Sequence, residues 1–355
     1  MHKKIIKYLN KNLAIGKKVI SFVVFRTDRI GDTVLSVQVA ELLKKHYPDS
    51  KVAFVVRNYT KPILQNNPFV DDVISIDDFS QSELVAFLKA KKFDISISLF
   101  ASKEAVFVPF LAKIPIRIGP MSKLRSVLFN IGIRQNRSAS KKNEAEYNLD
   151  LLKPLGIDEI CYPKIYLTET EKAFGKDYFV NLGLNETDKL VILHPGSGGS
   201  SKDWSLNKYF KLSKLLTLLI SQNVKVFISG SEKELNLYRE YLCKYELDKN
   251  CLMHKELDIR KFFALLARAD LFVSNSTGPL HCAASLGIKT VSFYPPIKTC
   301  KSLRWGPFSE FEKNHFVFTP KVDECKKCTD ECSHYLCMDM IEEHLVLAKI
   351  SEMLK

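Results

Sequence analysis

The stretch VILHPGSGGSSKDW, residues 191–204, joins an apolar run to a loop of glycine and serine that is followed by a lysine. Backbone amides of this loop, the hydroxyl of Ser197 and the ammonium of Lys202 could together bind an anion. The loop is not a Walker loop, because Lys202 lacks the flanking Gly and Ser or Thr. It is not a dinucleotide fingerprint either, because Ser201 stands where the third glycine should be. A flexible turn with a solvent-facing lysine is the alternative interpretation.

A second loop with anion-binding character is VSNSTGPLHCAASLG, residues 273–287. Ser276, Thr277 and Gly278 precede Pro279, a favoured first residue of a helix. Free N–H groups at the helix start, the two hydroxyls and the helix dipole all favour an anion. His281 falls in the first turn and could donate a hydrogen bond to a phosphate oxygen. The C-terminal half therefore offers two loops suited to a diphosphate.

The N-terminal half offers a carboxylate instead. In FRTDRIGDTVLS, residues 25–36, Asp32 stands where a helix should begin. It could accept a proton from an acceptor hydroxyl, or it could simply cap the helix. Asp28 lies nearby, and the residue types alone do not show whether Asp28 or Asp32 would be the base or whether Asp32 only caps the helix. Two anion-binding loops in one half and a carboxylate in the other suggest a nucleotide-sugar transferase.

The elements that must position these loops alternate along the chain. Strand-like runs such as 19–25, 51–56, 189–194 and 271–274 are separated by helical patterns. This alternation predicts an α/β protein with doubly wound parallel sheets, whose ligands bind beyond the carboxyl ends of the strands. The pattern restarts once, so we expect two domains facing a central cleft. The predicted bounds are 1–165, 166–325 and a Cys-rich segment with a terminal helix, 326–355.

Composition restricts the class of protein. The chain has 355 residues, 46% of them hydrophobic, and a formal net charge of +13 that calls for an anionic partner. No apolar run approaches the roughly 20 residues that span a bilayer, and the N-terminus lacks a secretory signal, which favours the cytoplasm. Residues 1–18 carry six lysines and no acid. They are either a peripheral helix on an anionic inner-membrane surface or a solvated extension.

Four of the nine cysteines crowd into CKKCTDECSHYLC near the C-terminus. Cys325, Cys328, Cys332 and Cys337 could hold a structural zinc ion, with His334 as a spare ligand. Disulfides are disfavoured in the cytoplasm, and free thiols are the remaining possibility. We assign this cluster no catalytic part and expect no metal in the active site and no required cofactor.

Three blocks of the sequence, 25–56, 194–212 and 273–296, together resemble the bacterial ADP-heptose:lipopolysaccharide heptosyltransferase family, glycosyltransferase family 9. The resemblance implies a GT-B fold of two Rossmann-like domains. It also implies inverting transfer of a heptose from ADP-heptose to a lipopolysaccharide core or lipid-linked glycan acceptor.

The same resemblance implies roles for individual residues. Asp32 would be the general base, and Lys202 would neutralise the departing diphosphate. The further residues implied at the donor diphosphate are Ser197, Ser276, Thr277, Gly278 and His281. Glu234 and Leu257 fall near positions that contact the nucleoside. The acceptor would be acidic, and its candidate contacts in the N-terminal domain are Arg57, Lys61, Arg117, Lys123 and Arg125.

One departure from the family pattern is Ser276, because many heptosyltransferases carry an Asp immediately before the Thr-Gly pair. A hydroxyl cannot offer the same charge to a metal or to sugar hydroxyls. A family 9 transferase that uses another nucleotide sugar for surface polysaccharide synthesis is therefore the main alternative. An epimerase of similar build and a basic polyanion-binding protein are further alternatives, but no nucleic-acid motif is present.

Overall fold

The structure is a computed structural model of the chain. It describes residues 5, 7, 8, 19–185, 187–199, 201–219, 223–246, 251–253, 257–323, 325 and 336–355. The chain divides into two compact units, Met1–Tyr166 and Leu167–Lys355. This division falls one residue after the predicted boundary.

The first unit is a parallel α/β sheet with its helices. In chain order it contains β1 (Ser21–Phe25), α1 (Ile30–Val34), α2 (Gln38–His46), β2 (Lys51–Val56), α3 (Lys61–Leu64), β3 (Asp72–Ser75), α4 (Gln81–Lys91), β4 (Ile95–Ser98), α5 (Lys103–Leu111), β5 (Ile116–Pro120), β6 (Ile131–Ile133) and α6 (Glu144–Leu149). Short 3₁₀ helices span Asn58–Thr60, Ile76–Asp78, Leu124–Leu128, Arg137–Ala139 and Asp150–Leu155.

The strand order of this sheet is β3-β2-β1-β4-β5-β6, with every pair parallel. In the centre, Phe22 lies opposite Val52 on one side and Ile95 on the other. The four residues 22–25 are fully buried, because helices cover both faces of the sheet. The order reverses between β1 and β4, so the crevice expected for a ligand lies at their carboxyl ends.

The second unit repeats this architecture. In chain order it contains α7 (Glu169–Asn181), β7 (Lys189–His194), α8 (Leu206–Leu219), β8 (Val224–Ile228), α9 (Glu232–Tyr245), β9 (Cys251–Met253), α10 (Ile259–Arg268), β10 (Leu271–Asn275), α11 (Gly278–Ser285), β11 (Lys289–Phe293), α12 (Ser302–Trp305), β12 (His315–Phe318) and α13 (Glu343–Leu354). Its 3₁₀ helices span Lys298–Cys300, Glu312–Asn314 and Cys337–Met340. The parallel strands follow the order β12-β11-β10-β7-β8-β9, which reverses between β7 and β10.

The terminal helix α13 belongs to the second unit rather than to a separate segment. Val346, Ile350 and Met353 enter the same hydrophobic core as the strand residues Val291 and Phe293. The terminal helix of the predicted third region is therefore part of the second unit. A single amphipathic helix can bury its apolar face only against a neighbour.

The cysteine cluster lies mostly outside the described residues. Cys328 and Cys332 are not described; Cys325 lies with its Sγ 3.6 Å from the carbonyl oxygen of Pro296, and Cys337 is buried. Within the described ranges, no three His, Cys, Asp or Glu side chains group so that they could hold a metal. The structural zinc ion stays a prediction. In the same described part of the chain, no helix has the length and apolarity needed to cross a membrane.

Candidate active site

Asp32 lies at the carboxyl edge of the first sheet, directly after β1. It is the third residue of α1. The N-cap position of this helix is Arg29, whose side chain makes no capping hydrogen bond to the described residues. The capping interpretation of Asp32 is therefore wrong. Its carboxylate contacts the guanidinium of Arg26 instead, and the side chain remains 15% exposed. This position leaves the carboxylate accessible at the edge where ligands of such sheets bind.

Arg26 organises the charges around Asp32. Its side chain is 1% exposed, and its Nε lies 2.7 Å from Oδ1 of Asp28. Its Nη1 lies 3.3 Å from Oε1 of Glu144 and donates to Oδ1 of Asn148 over 3.1 Å. Burial alone would lower the pKa of Arg26, but Asp28, Asp32 and Glu144 raise it, so the guanidinium stays charged. One buried cation thus holds three carboxylates.

The pKa of Asp32 is raised to about 6, chiefly because burial penalises the charged carboxylate. Arg26 acts in the opposite direction, while Asp28 and Glu144 raise the pKa further. A base of this pKa is ionised at neutral pH and still binds a proton readily. Asp28 contacts the same guanidinium, so contact alone does not distinguish the two carboxylates. Asp28 is the more exposed of the two side chains, 25% against 15%, so it is the raised pKa of Asp32 that favours it as the proton acceptor.

Two of the predicted acceptor contacts follow β2. Arg57 donates from Nε to the carbonyl oxygen of Thr27 over 3.2 Å and from Nη1 to Asp77 over 2.6 Å. Lys61 lies 3.6 Å from Asp78. Both basic side chains are partly exposed at the same sheet edge as Asp32.

The other three acceptor candidates lie around β4 and β5. The Nζ of Lys123 lies 4.9 Å from the ring centre of Phe100, and Arg125 donates to the carbonyl oxygen of Ala101 over 3.1 Å. Both contacts are with residues that follow β4, at its carboxyl end. Arg117 instead lies near the start of β5, where Nη1 donates to the carbonyl oxygen of Ile114 over 2.7 Å. The structure therefore brings Lys123 and Arg125 to the carboxyl edge but leaves the guanidinium of Arg117 towards the other end of its strand.

In the second unit, Asn275 joins the two anion-binding loops. This last residue of β10 is fully buried. Its Nδ2 donates to the carbonyl oxygen of Pro195 over 2.7 Å, and its Oδ1 accepts from the amide of Trp204 over 2.9 Å. Pro195 and Trp204 are the two ends of the Gly/Ser loop, so one amide side chain pins this loop to the strand that leads into the S-T-G-P turn. We name this arrangement the Asn275 clasp.

The Gly/Ser loop is shaped from within by Asp203. Ser197 is buried and donates its hydroxyl to Oδ2 of Asp203 over 2.7 Å. Burial raises the pKa of Asp203 to about 6, although Ser197 and Lys202 lower it. Gly198 and Gly199 have φ of +59° and +72°, a backbone that side chains disfavour, and both are exposed. The loop thus presents its backbone outward, beside the half-buried Lys202.

The S-T-G-P turn supplies the other side of the candidate donor site. Thr277 is the N-cap of α11, but its hydroxyl makes no capping bond, and Gly278 is the first helical residue. His281 is 4% exposed, and its Nδ1 has no hydrogen-bond partner among the described residues. Burial lowers the pKa of His281 to about 4, so the imidazole is neutral at physiological pH. Ser276 is half-buried and hydrogen-bonds the hydroxyl of Tyr294.

Glu234, predicted near the nucleoside, lies against the start of the Gly/Ser loop. It is the third residue of α9 and accepts hydrogen bonds from the amide and hydroxyl of Ser231 over 2.8 and 2.7 Å. A methyl group added at Gly196 would come within 1.9 Å of its Oε1, so a side chain there would require the carboxylate of Glu234 to move. Leu257 is half-buried shortly before α10. Glu234 is thereby brought next to the predicted diphosphate loop.

Sequence reasoning missed Asn275, Arg26 and Glu144. Asn275 was within a quoted loop, and its place at the end of a predicted strand was a usable signal. No comparable signal exists for Glu144, because 118 positions separate it from Arg26.

The comparison with known families decides the class of protein. The profile of glycosyltransferase family 9 (heptosyltransferase) matches residues 82–336, well over half of the chain. The chain belongs to glycosyltransferase family 9. This makes it a glycosyltransferase rather than a polyanion-binding protein or an epimerase.

Individual relatives of this family 9 protein agree with that assignment. A Haemophilus influenzae protein whose name goes no further than glycosyltransferase is 32% identical over 311 residues, covering 84% of this chain and 88% of its own length. The Escherichia coli K12 lipopolysaccharide heptosyltransferase 2 is 24% identical over 286 residues, which cover 75% of this chain and 80% of that protein. The structure of the E. coli ADP-heptose lps heptosyltransferase II matches with a TM-score of 0.77 at 22% identity. The match covers 94% of this chain and 98% of that one. The last similarity confirms the predicted α/β fold with two Rossmann-like units of the GT-B kind.

Proposed function

We propose that this family 9 glycosyltransferase moves a heptose from ADP-heptose to a lipopolysaccharide core acceptor with inversion at the anomeric carbon. The first unit contributes the base and the acceptor contacts, and the second unit binds the donor. The relatives named for heptosyl transfer support the sugar, and the two pinned loops support a diphosphate donor.

The proposed reaction is a single displacement. Asp32 accepts the proton of the acceptor hydroxyl as its oxygen attacks the anomeric carbon of the donor. The bond between that carbon and the diphosphate oxygen breaks, and ADP leaves with the electron pair. One displacement inverts the configuration, so one base is sufficient and no covalent sugar–enzyme intermediate is formed.

The leaving diphosphate gains negative charge, and the donor loops offer positive or polar groups to meet it. Lys202 supplies a cation, and the N-terminus of α11 supplies free amide groups and its dipole. In the described part of the chain the Nδ1 of neutral His281 has no partner, and it can donate a hydrogen bond when that nitrogen carries the proton. Donors fixed in advance stabilise such a developing charge more effectively than mobile water does.

The observation that carries the proposal is the environment of Asp32. A partly accessible carboxylate at a ligand-binding sheet edge, with its pKa raised to about 6, is suited to removing a hydroxyl proton near neutral pH. Its fixed partner Arg26 holds the carboxylate in place.

Calorimetry with ADP, GDP, UDP and CMP tests the donor. We expect selective binding of ADP, weakened about tenfold or more by Lys202→Ala, because removing a cation from a diphosphate site costs a charge-assisted hydrogen bond. Lys214→Ala changes an exposed lysine of α8 and serves as the matched control. Failure of all four nucleotides to bind would contradict the donor site. Assays with ADP-heptose and Kdo-terminated acceptors then test the transfer itself.

A second candidate is transfer of a different sugar from another nucleotide donor. The observation in its favour is Ser276, which offers a hydroxyl already bonded to Tyr294 where many relatives offer a carboxylate. Selective binding of GDP, UDP or CMP in the same calorimetric series would favour this candidate over ADP-heptose.

A further inference from the structure

One part of the first unit is unusually basic. Residues 105–143 contain eight Lys or Arg and no Asp or Glu, although the whole chain has 40 acidic residues. The eight are Lys113, Arg117, Lys123, Arg125, Arg134, Arg137, Lys141 and Lys142. Arg137 and Lys142 pair with Glu144 and Asp150 from the following segment, and the other six basic side chains make the stretch predominantly positive.

Within this stretch, the 3₁₀ helix Leu124–Leu128 exposes two large aliphatic side chains. Leu124 is 90% exposed and Val127 is 67% exposed. A 3₁₀ helix has three residues per turn, so side chains three positions apart project from the same side. The two side chains therefore form one apolar projection.

The projection is firmly anchored to the unit behind it. Ser126 is fully buried, and Arg125 donates to the carbonyl oxygen of Ala101. Leu128 packs against the small core of Ala101, Val106 and Phe129. Because the backbone is fixed in this way, the exposure of Leu124 and Val127 follows from the fold of the helix and not from a loose end.

Basic side chains surround the apolar projection. Lys123 precedes it and Arg125 lies within it. Arg117 donates to the carbonyl oxygen of Leu128, and its guanidinium lies 5.5 Å from the ring centre of Phe110, itself 41% exposed. An apolar centre with a basic rim combines the two attractions that bind a protein to an anionic membrane.

We propose that this surface docks on an anionic phospholipid bilayer, with Leu124 and Val127 inserted at the level of the headgroups and Lys123, Arg125 and Arg117 among the phosphates. A nucleic acid would use the basic residues but not the aliphatic pair. A second copy of this chain, meeting the same patch across a two-fold axis, would set like charges against each other. The bilayer is the partner that satisfies both the charge and the apolar side chains.

This surface is distinct from residues 1–18, the basic segment for which the sequence suggested membrane contact. The end of the surface formed by Lys123 and Arg125 lies near the carboxyl edge of the first sheet, where both contact residues that follow β4, whereas Arg117 lies towards the other end of its strand. Asp32 lies at the same edge. If the proposed function holds, on which this step rests, docking here brings a lipid-anchored acceptor to the side of the unit that carries the base.

Vesicle flotation tests the proposal without any substrate. Full-length protein is mixed with vesicles of phosphatidylglycerol and phosphatidylcholine in equal parts, or of phosphatidylcholine alone, at low and high salt. We expect binding to the anionic vesicles only, weakened by salt, because exposed charges are screened. The variant L124S/V127S should lose at least about tenfold in partition coefficient, since two aliphatic side chains no longer leave water. Leu218→Ser, which changes a 62% exposed leucine of α8, should bind like wild type.

Three outcomes would overturn the proposal: no binding of wild type to anionic vesicles, unchanged binding of L124S/V127S, or binding that is lost only when Lys3, Lys4, Lys7 and Lys11 are replaced by glutamine. Thermal unfolding of L124S/V127S checks that the variant is folded, and exposed positions should tolerate serine. A lipid-free acceptor separates the two proposals. The L124S/V127S variant should glycosylate this lipid-free acceptor at the wild-type rate. If wild type binds anionic vesicles but transfers no sugar, the proposed function is contradicted and the docking proposal is not.

Discussion

At the scale of single residues, the buried guanidinium of Arg26 determines the chemistry that Asp32 can perform. Burial would raise the pKa of this carboxyl further if Arg26 did not oppose it. Asp28 and Glu144 raise the pKa of Asp32, as burial does, because they place negative charge near it. The result is a pKa of about 6, set by competing contributions from named neighbours.

The pH dependence of the transfer tests this assignment. We expect kcat/KM to rise with pH through about 6, because Asp32 must lose its proton before it can act as a base. Asp32→Asn should lower kcat by about a hundredfold or more. Glu144→Gln removes a negative charge that raises the pKa of Asp32, so the rise should move to lower pH. The measurement is the pH profile of kcat/KM for each variant.

Asp28→Asn is the discriminating control. It also removes a negative charge beside Asp32, so it should shift the profile to lower pH and keep substantial activity. If Asp28→Asn loses as much activity as Asp32→Asn while both variants fold, Asp32 is not the sole base and the assignment is wrong.

The sequence predicted Asp32, Lys202 and His281 as candidates because their residue types carry the chemistry themselves. The sequence could not predict the pKa of Asp32. This pKa depends in part on Glu144, which is brought to Arg26 only when the chain folds. The three candidate residues could be selected from the sequence, but the raised pKa of Asp32 could not be predicted from it.

At the scale of elements, the Asn275 clasp holds the Gly/Ser loop in one position. Asn275→Leu keeps a similar volume but removes both hydrogen bonds, leaving the buried carbonyl of Pro195 and amide of Trp204 unpaired. We expect ADP affinity to fall between about fivefold and a hundredfold, because holding the released loop in its binding position should cost about 1–3 kcal/mol in total. Calorimetry with ADP measures the change.

The control for the clasp is Ser213→Ala, which removes a buried hydrogen bond to the carbonyl oxygen of Phe210 within α8. It should lower stability without changing ADP affinity. An Asn275→Leu protein that binds ADP like wild type would mean that the loop is positioned by something other than the clasp.

Elements with clear patterns were predictable from the sequence, and those without were not. β1, β2, β7 and β10 correspond to continuous apolar runs, the pattern of strands buried on both faces. β5 was missed, because IRIGP ends in Gly and Pro, which usually argue against a strand. α5 was missed too, because KEAVFVPFL is apolar on all sides and contains Pro109, so no helical period stands out.

At the scale of the whole molecule, the two units share one strand order although their sequences give different loops. The alternation of strand and helix predicted two such units, and the structure has them. The placement of α13 was not predictable, because the sequence does not state which core an amphipathic terminal helix will join. Its apolar residues complete the core of the second unit.

The second unit begins with α7, which is tied to α10 by a bidentate ion pair. Nε and Nη2 of Arg260 each donate to an oxygen of Glu171 over 2.7 Å. Arg260 lowers the pKa of Glu171 to about 2, with the Thr168 amide and hydroxyl acting in the same direction. Burial acts against this shift. Glu171 also completes the capping box of α7, and glutamine can occupy that position of the box equally well.

Glu171→Gln should therefore weaken the ion pair while keeping the cap. We expect the second unit to lose about 1–3 kcal/mol in its free energy of unfolding at pH 7, measured by urea denaturation. A carboxyl with a lowered pKa stabilises the fold above its ordinary pKa and loses that effect as pH falls towards about 2. The difference between wild type and variant should thus be constant from pH 7 to about 5 and shrink at lower pH.

Glu169→Gln is the matched control, because Glu169 is 88% exposed and its ion pair with Lys172 lies at the surface. It should change stability by less than about 0.5 kcal/mol. ADP should raise the same unfolding transition that Glu171→Gln lowers, because a ligand stabilises the unit that binds it. If ADP raises a different transition, the donor does not bind to the second unit; if Glu171→Gln has no effect at pH 7, the bond between α7 and α10 does not contribute to stability.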